Sequence, residues 1–257
     1  MELSAAEIAV WVGSFLWPLT RIGAMALVAP VLSARGLPRR VRLVVVVVLT
    51  WAVVPVIPLA PAIEPISPLG LLITVQQLLI GLAMGFILRL ALAALEIGGQ
   101  VIAMQMGLAF ANLMDPQGSG QMPLLGHFYY LFGTLIFLSL DGHLLLMRLL
   151  VDSFTTLPIG PEGLVPDDLW LLVSWGSRMF AGAVLLGLPA IASLLLVNMA
   201  FGVLTRAAPQ LNIFAVGFPI TLMLGLVILL YSMPALLPQL QQLLDGAFLT
   251  LGRILAA

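Results

Sequence analysis

The chain has 257 residues, of which 62% are hydrophobic and 8% charged, with a mean hydropathy of +1.19 and a formal net charge of −1. Ordinary soluble domains carry about 25% charged and about 45–50% apolar residues, so ten basic and eleven acidic side chains cannot cover a monomer of this size. That excludes a soluble enzyme and points to an integral membrane or membrane-complex protein; no basic tract suggests nucleic acid, and zero Cys leaves no disulfide framework and no thiolate metal site.

A spanning helix needs about 20 mostly apolar residues. The first such segment is 8–32, interrupted only by Arg21. The residues before it, Met1-Glu2-Leu3-Ser4 with Glu7, lack the positive region of a secretory signal peptide, so this segment is expected to stay in the mature protein. A break rich in Arg, Gly and Pro (33–42) leads to a second apolar segment at 43–59, followed by the proline-rich stretch 58–68 around Glu64. The third segment runs 69–95, and a shorter apolar stretch, 97–114, enters the polar turn DPQGSGQMP at 115–123. The fourth covers 124–150, and an acidic loop at 152–168 holds Asp152, Glu162, Asp167 and Asp168. The fifth, 169–204, contains Arg178; the break TRAAPQLN at 205–212 precedes the sixth, 213–237. At 238–257 the pattern changes. Leu240, Leu243, Leu244, Ala247, Phe248, Leu251 and Ile254 recur at helical spacing among Gln241, Gln242, Asp245 and Arg253, as in a short amphipathic helix. The fold class expected is therefore an all-α membrane protein. It has about six long hydrophobic helices, some broken by Gly or Pro, and a short amphipathic C-terminal helix.

The breaks sort by charge. Alternating crossings put 33–42, 115–123 and 205–212 on one side, and the acidic N-terminus, Glu64 and the 152–168 loop on the other. The positive-inside rule places the Arg-rich side in the cytoplasm and the N-terminus outside. Arg148, beside the acidic loop, fits this poorly. Pairs such as Gly81/Gly85, Gly98/Gly99 and Gly182/Gly187, with Pro189, Pro219 and Pro234 inside helical stretches, suggest close helix–helix packing.

All ten basic residues are Arg, through codon usage or because a planar five-donor fork finds partners between packed helices. Arg21 and Arg178 lie within apolar segments, where a central Arg costs about 2.5–3.5 kcal/mol on insertion scales. They belong either to an ion or proton pathway or to inter-helix and inter-subunit pairs, with Glu96 and Asp141 as candidate partners. Arg89 and Glu96 are seven residues apart, too far for an ideal i,i+4 pair. His127 and His143 would be about 24 Å apart on one helix and do not form a metal site. No nucleophile elbow, zinc-protease or phosphate-loop motif occurs, so no catalytic residue, cofactor or metal is expected.

The stretch 107–125, GLAFANLMDPQGSGQMPLL, joins two helical segments through a partly apolar loop. Non-helical backbone in the bilayer core is tolerated only where protein buries it or it lines a cavity. The loop is thus a candidate plug or gate, or an ordinary turn between spans.

That stretch resembles the FliR family, the R subunit of the flagellar type III protein export gate, related to the SctT family of virulence secretion systems. Three more stretches fit the family: RIGAMALVAPVLSARGLPRRVR at 21–42, LLIGLAMGFILRLALAALEIGGQVIAMQMG at 78–107 and RAAPQLNIFAVGFPI at 206–220. The resemblance covers about residues 10–240. It implies a P-like front portion (1–168) joined to a Q-like helical hairpin (169–245), one subunit of a hetero-oligomer with P and Q subunits. The implied partners extend to the flagellar B switch subunit, the A export subunit and unfolded flagellar substrates. The implied location is the bacterial inner membrane at the flagellar basal body, with the core raised toward the periplasm. The family's channel plug maps onto 107–123, with Phe110 as the plugging aromatic and Met106, Leu113, Met114, Asp115, Pro116, Gly118 and Gly120 beside it. Arg21, Arg89, Glu96, Arg178 and Arg206 are the charges expected to be packed between helices or subunits. The rival reading is a stand-alone membrane transporter or channel with Arg21, Arg89 and Glu96 on the substrate path; no convincing internal repeat supports it.

Overall fold

The computed structural model describes residues 5–34, 36–108, 124–208 and 213–256. Seven α-helices occur among them: α1 (Ala5–Val28), α2 (Arg39–Val53), α3 (Pro68–Gln105), α4 (Leu124–Ser139), α5 (Gly142–Thr156), α6 (Pro166–Ala207) and α7 (Ile213–Leu255). A 3-10 turn, Val54–Val56, follows α2, and no strand occurs among the described residues.

Local sequence accounts for several boundaries. Ser67 caps α3, its Oγ accepting the Gly70 N–H at 3.1 Å, with Pro68 in the first helical position, where its missing N–H costs nothing. At the start of α6 the Asp168 carboxylate accepts the Val165 N–H at 3.1 Å, one half of a capping box, and Asp167 and Asp168 suit the positive end of the helix dipole. α3 ends as Gly107 adopts φ 81°, a left-handed conformation that costs glycine nothing.

Four helices are long and apolar enough to cross a membrane, or five crossings if the bent α4–α5 pair counts as one. The six apolar segments map onto these elements with three differences. First, α2 has only 15 residues, about 22 Å of rise, because Pro55 and Pro58 end regular structure early. Second, the 124–150 segment is broken at Leu140–Asp141, where Asp141 takes φ 56°. Third, 69–95 and 97–105 form one helix, and 238–255 continues α7 without interruption.

The described chain divides into two compact units: 1–90 with 137–176 and 244–257, and 91–136 with 177–243. In the first unit α1 and α3 pack through Gly81 and Gly85. A Cβ at Gly81 would collide with the Arg21 carbonyl oxygen, and one at Gly85 would sit 2.8 Å from the Met25 carbonyl oxygen. Only glycine permits that approach. Trp17, fully buried, packs with Ala60 and Ile73 and donates its indole N–H to Thr74 Oγ1 at 3.2 Å. In the second unit the end of α3 lies against α6 at Gly98, next to the Ala183 carbonyl, and against α4 at Gly99 and Gly126.

Large apolar side chains are exposed along α6 and α7, including Trp170, Leu196, Val203, Met223, Leu230 and Tyr231.

Candidate functional site

The buried stripes of three helices in the first unit each contain one polar side chain. On α1 the stripe runs Trp17, Arg21 and Met25, with Ala29 just past its end; on α3 it runs Ile73, Gln77, Ile80 and Met84; on α5 it runs Leu146, Leu150, Ser153 and Phe154. Spacings of three and four residues keep all of these on one helix face, so the three polar groups are driven inward with their neighbours and meet. Arg21, Gln77 and Ser153 are all fully buried.

Among the described residues the Arg21 guanidinium is held by neutral groups. Its Nε–H donates to Gln77 Oε1 at 2.7 Å. Nη1 donates to the Ser153 carbonyl at 2.8 Å and to Ser153 Oγ at 3.0 Å, and Nη2 donates to the Leu157 carbonyl at 2.8 Å. The Phe154 ring lies 4.2 Å from the guanidinium carbon, within cation–π range. Ser153 and Leu157 close the C-terminal turn of α5, where backbone carbonyl oxygens and the helix dipole supply partial negative charge. A cation with no carboxylate beside it is thus matched to a helix C-terminus. Among the described residues its hydrogen-bond partners are Gln77, Ser153 and Leu157, so the cluster ties α1, α3 and the end of α5 together.

Neither Glu96 nor Asp141 pairs with Arg21, contrary to their candidacy as partners. Asp141 is exposed at the break before α5, and Glu96 is half-buried in the second unit. Of the other charges expected between packed elements, Arg89, Arg178 and Arg206 are exposed on the isolated chain. Arg89 reaches Ser33 Oγ only at 3.5 Å.

Among the gate candidates, Met106 is described and buried, seated in the second unit over Gly225 of α7. A Cβ at Gly225 would lie 2.5 Å from Met106 Cγ, so that glycine makes room for the thioether. Phe110, Leu113, Met114, Asp115, Pro116, Gly118 and Gly120 lie outside the described residues. Among the described residues no three His, Asp or Glu side chains converge as metal ligands.

Gln77 and Ser153 were missed at the sequence level. The signal for Gln77 was available, since a Gln pair in an otherwise apolar helix, in phase with Ile73 and Ile80, marks a buried polar contact. The Ser153 and Leu157 acceptors are mostly backbone and leave no trace in side-chain chemistry.

The model of the bacterial export proteins, family 1, matches residues 12–247. The chain is 39% identical over 256 residues to the flagellar biosynthetic protein FliR of Escherichia coli K12, covering 100% of this chain and 98% of that one. It is 41% identical over 245 residues to the FliR of Pectobacterium carotovorum, covering 95% and 94%. The FliR of Bacillus subtilis is 31% identical over 189 residues, covering 72% and 73%. The chain belongs to the FliR family of bacterial export proteins.

Proposed function

We propose that the chain is the R subunit of a flagellar type III export gate, a structural and gating component in the bacterial inner membrane. It completes a helical assembly with P and Q subunits, through which unfolded flagellar proteins leave the cytoplasm. The observation that carries this reading is similarity to flagellar biosynthetic proteins along the whole chain, with 98% of the Escherichia coli relative covered.

The surface of the chain supports assembly. Only 28% of the apolar window of α6 and 22% of that of α7 is buried within the chain, against 61% for α3. These two helices form the Q-like hairpin, and their bare faces are where neighbouring subunits would pack. Arg178 and Arg206, exposed on α6, would then find partners across subunit boundaries, and the B and A subunits would join the assembly from outside. The segment 107–123 supplies the plug, with Met106 as its buried anchor on α3 and Phe110 as its sealing aromatic. Met side chains adapt to irregular surfaces and suit a seal that opens for varied cargo.

Shortening 110–120 in cells that express the whole gate tests the plug. Assembly should persist while ions leak across the membrane. An intact permeability barrier in that variant would contradict the assignment.

A further inference from the structure

We propose that α2 docks an anionic phospholipid, with the phosphate held by Arg39 and Arg40 and an acyl chain lying along Val44, Val47, Val48 and Trp51. The inference is independent of the export-gate reading.

α2 buries only Val46 and Thr50. Its opposite face is bare, with Leu43 65%, Val44 58%, Val48 56% and Trp51 76% exposed. Arg40, Val44, Val47 and Trp51 follow one another at i, i+4, i+7 and i+11, a single stripe along the helix. At 1.5 Å per residue the stripe is about 16 Å long, half of a 30 Å hydrocarbon core and so the depth of one leaflet. The stripe carries no Gly, Ala or Ser of the kind that lets helices approach closely. In this it differs from the Gly81/Gly85 face of α3, which receives a helix. A valine surface ending in Trp accommodates an acyl chain without that demand.

Charge selects the headgroup. Arg39 and Arg40 are exposed at the start of α2, whose first turn holds no acidic residue. No Asp or Glu occurs anywhere between Glu7 and Glu64. Arg42 is committed to the Leu32 carbonyl at 2.7 Å. Among the described residues Arg39 and Arg40 make no hydrogen bond or ion pair, so two guanidinium forks are open to a phosphate.

The test is tryptophan quenching of the purified full-length chain in detergent, titrated with brominated phosphatidylglycerol or brominated phosphatidylcholine. Phosphatidylglycerol should quench at the lower mole fraction, with a saturable component that disappears in Trp51→Phe. Each basic residue contributes about 1 kcal/mol to anionic lipid binding, so R39A/R40A should weaken the phosphatidylglycerol response about thirtyfold. The phosphatidylcholine response should not change, R39K/R40K should keep most of the preference, and Arg253→Ala should keep all of it. Equal quenching by the two lipids, or an R39A/R40A titration unchanged from the parent, would overturn the proposal. Competition by millimolar inorganic phosphate would overturn it in favour of a free-anion site, and competition by polyglutamate in favour of an acidic protein segment.

Discussion

Replacing Arg21 by Met removes the guanidinium while keeping an unbranched side chain in the α1 stripe. Two acceptors then lose their partner: the buried Gln77 Oε1 and the part-buried Leu157 carbonyl. The Ser153 carbonyl keeps the Leu157 N–H at 3.0 Å, and Ser153 Oγ still donates to the Leu150 carbonyl at 2.7 Å, so neither is orphaned. A buried polar group left unpaired costs about 1–3 kcal/mol. Two such groups, offset by the relief of no longer burying a charge, give a net loss of about 3 kcal/mol. Adding Gln77→Leu removes one stranded acceptor, so the double variant should recover about 1–3 kcal/mol relative to the sum of the two single changes. Denaturant titration of the purified chain in mild detergent, followed by circular dichroism, reads all four corners of this cycle. A loss below about 1 kcal/mol for Arg21→Met, or a cycle with no coupling, would refute the assignment of Arg21 as the tie between α1, α3 and α5.

The same network makes Gln77→Glu informative. It places a carboxylate beside a fully buried cation and removes a buried amide N–H that has no acceptor in the structure, so it should cost less than Gln77→Leu in the same titration. Gly81→Ala and Gly85→Ala should each lose about 2–3 kcal/mol through backbone collision, as overpacking does. Gly176→Ala and Gly202→Ala, where a Cβ meets nothing within 4 Å, should gain up to about 1 kcal/mol of helix stability. Gly225→Val should displace Met106 from its seat and raise ion leak through an assembled gate, measured as proton flux in vesicles. An unchanged flux would separate Met106 from gating.

Long apolar runs made most helices legible, because twenty-residue hydrophobic stretches have few other outcomes in a membrane. The break in 124–150 was missed although Asp141-Gly142 is a turn signal, since hydropathy outweighed it in the sequence reading. Gly98-Gly99 was read as a place of close helix packing, and these glycines do let α6 and α4 approach α3. The apolar segments were divided at 95–97, whereas α3 runs through that point unbroken. Pro238 likewise failed to end α7. The Arg21 cluster was half legible. Helical phase places Arg21 and Gln77 on buried stripes, but the C-terminal turn of α5 that receives the charge lies more than 130 residues away and acts mainly through backbone carbonyls.

Co-expression of the tagged chain with and without the P and Q subunits of the same genome, followed by sizing in detergent, tests the central claim most directly. The account expects a discrete, large complex that forms only when those partners are present, with the α6 and α7 faces protected in it. A monodisperse chain that ignores both partners would contradict the export-gate reading and return the stand-alone transporter to consideration.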